Sequence, residues 1–155
     1  MSGEASAKNQ METPAEANVR QAVPFFMVGD IGASMRYYVE GLGFRKTREW
    51  INEGKLEWCW LEIGGAALML QEYREDSEGG RTPRGKAGEG VSVCFQCKDA
   101  LAIYREATSR GIEAKEPFVG NGMWVVRFRD PDGYRIHFES VTDVPEETKL
   151  SEWNG

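Results

Sequence analysis

His137 is the only histidine in the chain, and it stands in the run Arg135-Ile136-His137-Phe138-Glu139, where polar and apolar residues alternate. In an extended strand that alternation carries Ile136 and Phe138 to one face and Arg135, His137 and Glu139 to the other. An imidazole two residues from a carboxylate on a shared face can work as a general acid or base, oriented by Glu139 or Arg135. The same pair can supply two ligands to a divalent metal, with Gln96 or Gln71 as an uncertain third. No second histidine exists, and no serine or cysteine occupies a nucleophile turn, so the lone imidazole carries no triad. The plainer expectation is a histidine hydrogen-bonded in the wall of a cleft. No catalytic residue is assigned on this basis; His137 is the candidate.

The three cysteines are Cys59, Cys94 and Cys97. Cys94-Phe95-Gln96-Cys97 has the spacing of a redox or zinc motif, but its surroundings read as a strand, where positions three apart face opposite sides. No second pair completes a zinc site, so structural thiols are expected. The glycines between residues 79 and 90 are irregularly spaced and do not open a helix, which argues against a phosphate-cradling loop.

Composition narrows the partners. The net charge is −6 over 155 residues and no basic cluster stands out, which disfavours nucleic acid and anionic membrane surfaces. An acidic field suits a cationic small molecule. No apolar run approaches the ~18 residues of a membrane span, and Met1 to Ala17 lacks the apolar core of a secretory signal. A cytoplasmic location is the expectation.

The elements that must position these residues repeat. Ala22 to Val28 reads as a strand, Asp30 as a helix N-cap, and Ile31, Met35, Tyr38 and Leu42 as a helix face ending at Gly41 and Gly43. Strands follow at Phe44 to Ile51, Leu56 to Ile63 and Ala66 to Tyr73. The pattern restarts with a strand at Val91 to Cys97, an N-cap at Asp99, and a helix bearing Leu101, Ile103, Tyr104 and Ala107 that stops at Gly111. Strands are expected next at Ile112 to Glu116, Met123 to Arg129 and Tyr134 to Ser140. Asp130-Pro131-Asp132-Gly133 is the turn of the last hairpin. Two βαβββ halves from a diverged duplication are the simplest account, and neither buries enough apolar surface to stand alone. The divisions are a disordered tail at 1–20, a first module at 21–74, a glycine-rich linker at 75–90, a second module at 91–140 and an acidic tail at 141–155. Trp153 gives that last tail a means of docking.

Val28-Gly29-Asp30-Ile31, Tyr37-Tyr38 and Gly41-Leu42-Gly43-Phe44 resemble the opening of vicinal-oxygen-chelate proteins, the glyoxalase and bleomycin-resistance superfamily. Phe128 to Ile136, with its Asp-Pro-Asp-Gly turn, resembles the closing hairpin of that family. The resemblance implies an α+β fold of two tandem βαβββ modules, forming a half-open curled sheet around a cleft. In metal-using members four ligands come from the cleft faces of each module's first and last strands. Carried over, those positions are Val23, Met69, Ser92 and His137, and only His137 suits a divalent ion. The resemblance is therefore closest to the metal-free, bleomycin-resistance-like members, and no cofactor is expected. The alternative is a metal-dependent lyase, isomerase or dioxygenase with non-standard ligands around His137 and Glu139.

Alternation assigns Phe25, Met27, Met69, Gln71, Ser92, Cys94, Gln96, Arg135, His137 and Glu139 to the cleft. Trp58, Trp60 and Trp124 are candidates to stack on a flat or cationic ligand. Drug-binding members of the family form dimers that take a cationic antibiotic between aromatic walls. A small, partly aromatic or cationic ligand and a homodimer are thus expected here. A dimerisation module whose cleft is filled by its own side chains is the remaining possibility.

Overall fold

In the computed structural model the described residues are 17–73 and 86–155. The expected N-terminal tail and glycine-rich linker fall largely outside them. The first half runs β1 (Phe25–Val28), α1 (Ile31–Met35), β2 (Arg45–Asn52), β3 (Lys55–Ile63) and β4 (Ala66–Glu72). The second runs β5 (Ser92–Gln96), α2 (Ala100–Ser109), β6 (Phe118–Gly120), β7 (Met123–Arg129) and β8 (Arg135–Val141). Each half makes one mixed sheet, ordered β1-β4-β3-β2 and β5-β8-β7-β6, with the first and last strands parallel and the rest antiparallel. The sheets do not close into a barrel. This is the α+β arrangement of tandem βαβββ modules.

The halves share local devices as well as order. Asp30 and Asp99 each cap their helix by accepting from the backbone N–H three residues on, Ala33 at 3.0 Å and Ala102 at 2.9 Å. Each helix start is also tied to the end of its module's last strand. Ile31 N donates to Glu72 Oε2 at 3.1 Å, and Ala100 N donates to Ser140 Oγ at 2.9 Å.

Two expected elements differ. The first helix is α-helical for only five residues and continues as a π-helical stretch, Arg36–Gly41, closed by Leu42 N donating to Tyr37 O. Ile112 to Glu116 is not a strand; pairing begins after Pro117 and lasts three residues. Pro117 has no N–H for a ladder, and the turn at Asn121-Gly122 fixes Gly120 opposite Met123, so the hairpin is short. Residues 141–155 are docked, with the Trp153 ring against Trp124. Val119 N donates to Thr148 O, Glu147 N to Val119 O and Leu150 N to Pro117 O, covering the outer edge of β6.

One apolar core joins the helix-covered faces of both sheets. Phe44 meets Phe95 edge-on at 5.7 Å, and Phe95 stacks on Phe138 at 5.2 Å. Among the described residues no helix is long and apolar enough to cross a membrane.

Candidate functional site

The Asp-Pro-Asp-Gly turn joins the modules. Asp130, 5% exposed, accepts from Asp132 N and Tyr134 N with one oxygen and from the buried Tyr38 hydroxyl, at 2.8 Å, with the other. Burial raises its pKa, while the Tyr38 and backbone hydrogen bonds hold it back. Asp132 accepts from Gly29 N at 2.9 Å, and Gly133 turns the chain at φ +98°. Tyr134 stacks flat on Phe26 with centroids 4.1 Å apart and donates its hydroxyl proton to Met27 O at 2.8 Å. The hairpin is thus a latch between the modules, and His137 emerges from its second strand on the other face.

The faces turned away from the core carry the expected site residues, but as two surfaces. On the first sheet, strand register places Phe25, Met69, Trp60 and Arg48 in one row and Met27, Gln71, Trp58 and Trp50 in the next. Phe25 and Trp50 are 46% and 49% exposed, unusual for such large rings. The Arg48 guanidinium lies over the Trp60 ring, 5.1 Å from its centroid, and Trp60 Nε1 donates to Glu62 at 3.0 Å. Sequence reasoning missed Arg48 and Trp50. Alternation within β2 would have found them, but irregularities at Lys46/Arg48 and Trp50/Ile51 disturb the period.

On the second sheet the rows are Ser92–Arg135–Arg129, Cys94–His137–Arg127 and Gln96–Glu139–Val125–Phe118. Gln96 Nε2 donates to Glu139 Oε2 at 2.7 Å. Partial burial lowers the His137 pKa, and Arg127 and Arg135 lower it further against the pull of Glu139. Burial and the neighbouring Glu139 carboxylate raise the Cys94 pKa. Cys94 and Cys97 are unpaired, and Cys97 Sγ donates to Glu139 O at 3.4 Å. Cys59 is buried, which pushes its thiol up to about 11.

A cleft of about 850 Å³ opens beside this second face, between β7, β8 and the segment from Ile112 to Lys115. Ser92, Arg135 and His137 line it, together with Arg127, Arg129 and Lys115, which sequence reasoning missed. All its lining residues belong to the second half, so Phe25, Met27, Trp58, Trp60, Met69 and Gln71 do not share it. Trp124 belongs to neither surface. It is 4% exposed and its ring packs on Trp153 at 5.3 Å, since alternation along β7 turns it toward the core with Val126 and Phe128.

The metal positions implied by resemblance do not make a site. Val23 has no donor atom and Met69 offers only a thioether on the first sheet, while Ser92 and His137 lie on the second. A different set does converge: Cys94 Sγ, a His137 ring nitrogen and a Glu139 carboxylate oxygen lie within 4.8 Å of one another.

The model of the glyoxalase/bleomycin resistance protein/dioxygenase superfamily matches residues 20–138, and the chain belongs to that superfamily. Solved structures share the fold. A glyoxalase/bleomycin resistance protein from Streptomyces sp. CB03234 is 20% identical, with a TM-score of 0.59 over 76% of this chain and 97% of that one. TnmS3, an antibiotic binding protein from the same Streptomyces, is 20% identical with a TM-score of 0.57 over 79% and 97%. A glyoxalase/bleomycin resistance protein/dioxygenase from Nocardioides is 18% identical with a TM-score of 0.61 over 86% and 92%. No curated protein sequence matches the chain.

Proposed function

We propose that this chain is a binding protein of its superfamily, without a resident metal, that holds a small, partly aromatic or cationic molecule against the open face of the first sheet. The observation that carries this is the pair of side-chain rows containing Phe25, Trp50, Trp58, Trp60 and Met69, with Gln71 as a placed amide. Rings gathered exposed or half-buried on one face offer stacking worth about 0.5–2 kcal/mol per contact to a flat or cationic ligand. An apolar surface with few polar groups is the usual make-up of a small-molecule site. The same exposed rings support homodimerisation, in which the ligand would lie between this face and a second copy. Tryptophan fluorescence during titration with a panel of aromatic and cationic compounds tests the reading. Saturable quenching that Trp58→Leu abolishes is expected; no response across the panel would overturn it.

A second reading is favoured by one observation, the convergence of Cys94, His137 and Glu139. Those groups would ligate a divalent ion for a lyase, isomerase or dioxygenase reaction. Against it, the Arg127 and Arg135 charges that depress the His137 pKa also oppose a dication. Elemental analysis of protein purified without chelators separates the two. A stoichiometric transition metal lost in His137→Ala would support the enzyme, and its absence supports the binding protein.

A further inference from the structure

We infer that the cleft of the second sheet is a site for an organic oxyanion, a small molecule bearing a carboxylate or phosphoryl group on a short apolar body. The site is separate from the aromatic face of the first sheet, and its test stands apart from that reading. In a chain of net charge −6, Lys115, Arg127, Arg129 and Arg135 all line one cleft beside the His137 imidazole, with Glu113 as the only carboxylate among its lining residues.

Their arrangement is unfavourable without a ligand. Arg129 stands directly across the strands from Arg135, a like-charged pair on one face. Among the described residues, no carboxylate lies within 4 Å of the Arg127, Arg129 or Arg135 guanidinium. Arg127 is held with its guanidinium over the Phe118 ring, 4.7 Å from the centroid. Its Nε is buried and has no hydrogen-bond partner. A cation fixed in place with no carboxylate beside it leaves charge that an oxyanion in the cleft would neutralise through the accessible guanidinium N–H groups. The planar guanidinium forks suit the paired oxygens of a carboxylate or phosphoryl group better than a lysine cluster would.

The rest of the lining fits the same ligand. Ser92 adds a hydroxyl at the end of the Arg135–Arg129 row, while Ile112, Ala114 and Phe128 give apolar wall for the body. The volume, about 850 Å³, is within the range of small-molecule sites, roughly 300–1,000 Å³. The cleft exists because β6 begins only at Phe118, opposite Val125, so no strand lies beside Arg127 and Arg129.

The test is calorimetric titration of the full chain at low ionic strength with four probes of similar body: benzoate, phenyl phosphate, benzyl alcohol and benzylammonium. One or both anions should bind in a way that the arginine variants weaken, any binding of the alcohol or the ammonium at the aromatic face should be the same in those variants, and the comparison of benzoate with phenyl phosphate tells which oxyanion is preferred. Arg135→Gln and Arg129→Gln should each weaken the better anion by roughly 10- to 100-fold, the worth of one charge-assisted hydrogen bond. Arg45→Gln, an exposed arginine at the start of β2 on the other sheet, should leave it unchanged. Melting temperatures check that the variants fold, and Lys115→Gln is a further substitution outside the strands. Unaltered anion affinity in folded arginine variants, or no binding by either anion, would overturn the proposal.

Discussion

At the scale of single residues, Asp130 in the turn and His137 on the second strand of one hairpin do different work. Asp130 accepts three hydrogen bonds in a buried place. Asp130→Ala would leave the Tyr38 hydroxyl buried without an acceptor and should cost about 2–3 kcal/mol of stability, the scale of stranding such a donor. Urea denaturation checks this, and an unchanged midpoint would contradict it. His137 couples stability to pH. Its folded pKa lies below the ordinary 6.5, so on acidification the unfolded chain takes up the proton first. The stabilising effect is complete above about pH 6.5 and is lost as pH falls from there through the folded pKa. His137→Gln should flatten the stability profile in that window. Asp130, whose raised pKa acts with the opposite sign, is present in both proteins and cancels from the comparison. Alternation alone put His137 on the polar side of β8. It could not reveal the neighbouring arginines, because Arg127 and Arg129 reach that face through pairing across the hairpin with His137 and Arg135.

At the scale of elements, the sequence was most legible where local chemistry decides the backbone. Both aspartate caps and the glycine at φ +98° in the final turn follow from what those side chains do to their own backbone. It was least legible where a distant element decides. Ile112 to Glu116 has strand-like residues, yet Pro117 and the Asn121-Gly122 turn restrict pairing to Phe118–Gly120, and the C-terminal residues take the free edge. That edge is closed in part by the contact of Trp153 with Trp124. Trp153→Ala should therefore lower the melting temperature by several degrees, consistent with about 1–3 kcal/mol for removing a half-buried ring. Hydrogen exchange at Val119 and Leu150 should quicken in the same variant, and unaltered exchange there would show that the tail is held by its backbone bonds alone.

At the scale of the whole molecule, the family resemblance in the opening and closing motifs led to the right fold, because those motifs build the contacts that unite the modules. It did not lead to one cleft. The first face is aromatic and the second basic, and net charge gave no sign of this because it averages over the surface. With large rings exposed on one face and the outer strand β2 exposed along its length, a homodimer is the expected solution state. Light scattering should report twice the 17.4 kDa chain mass, and a monomer at micromolar concentration would contradict it.

The central claim, that the open face of the first sheet receives the ligand, is read most directly from the indole N–H resonances of the five tryptophans during titration with the tightest compound of the fluorescence panel. Trp58 and Trp60 should shift in a saturable way while Trp124 and Trp153, packed on each other in the second half, stay in place. Saturable shifts confined to Trp124 and Trp153, or a bound compound that moves neither Trp58 nor Trp60, would contradict it.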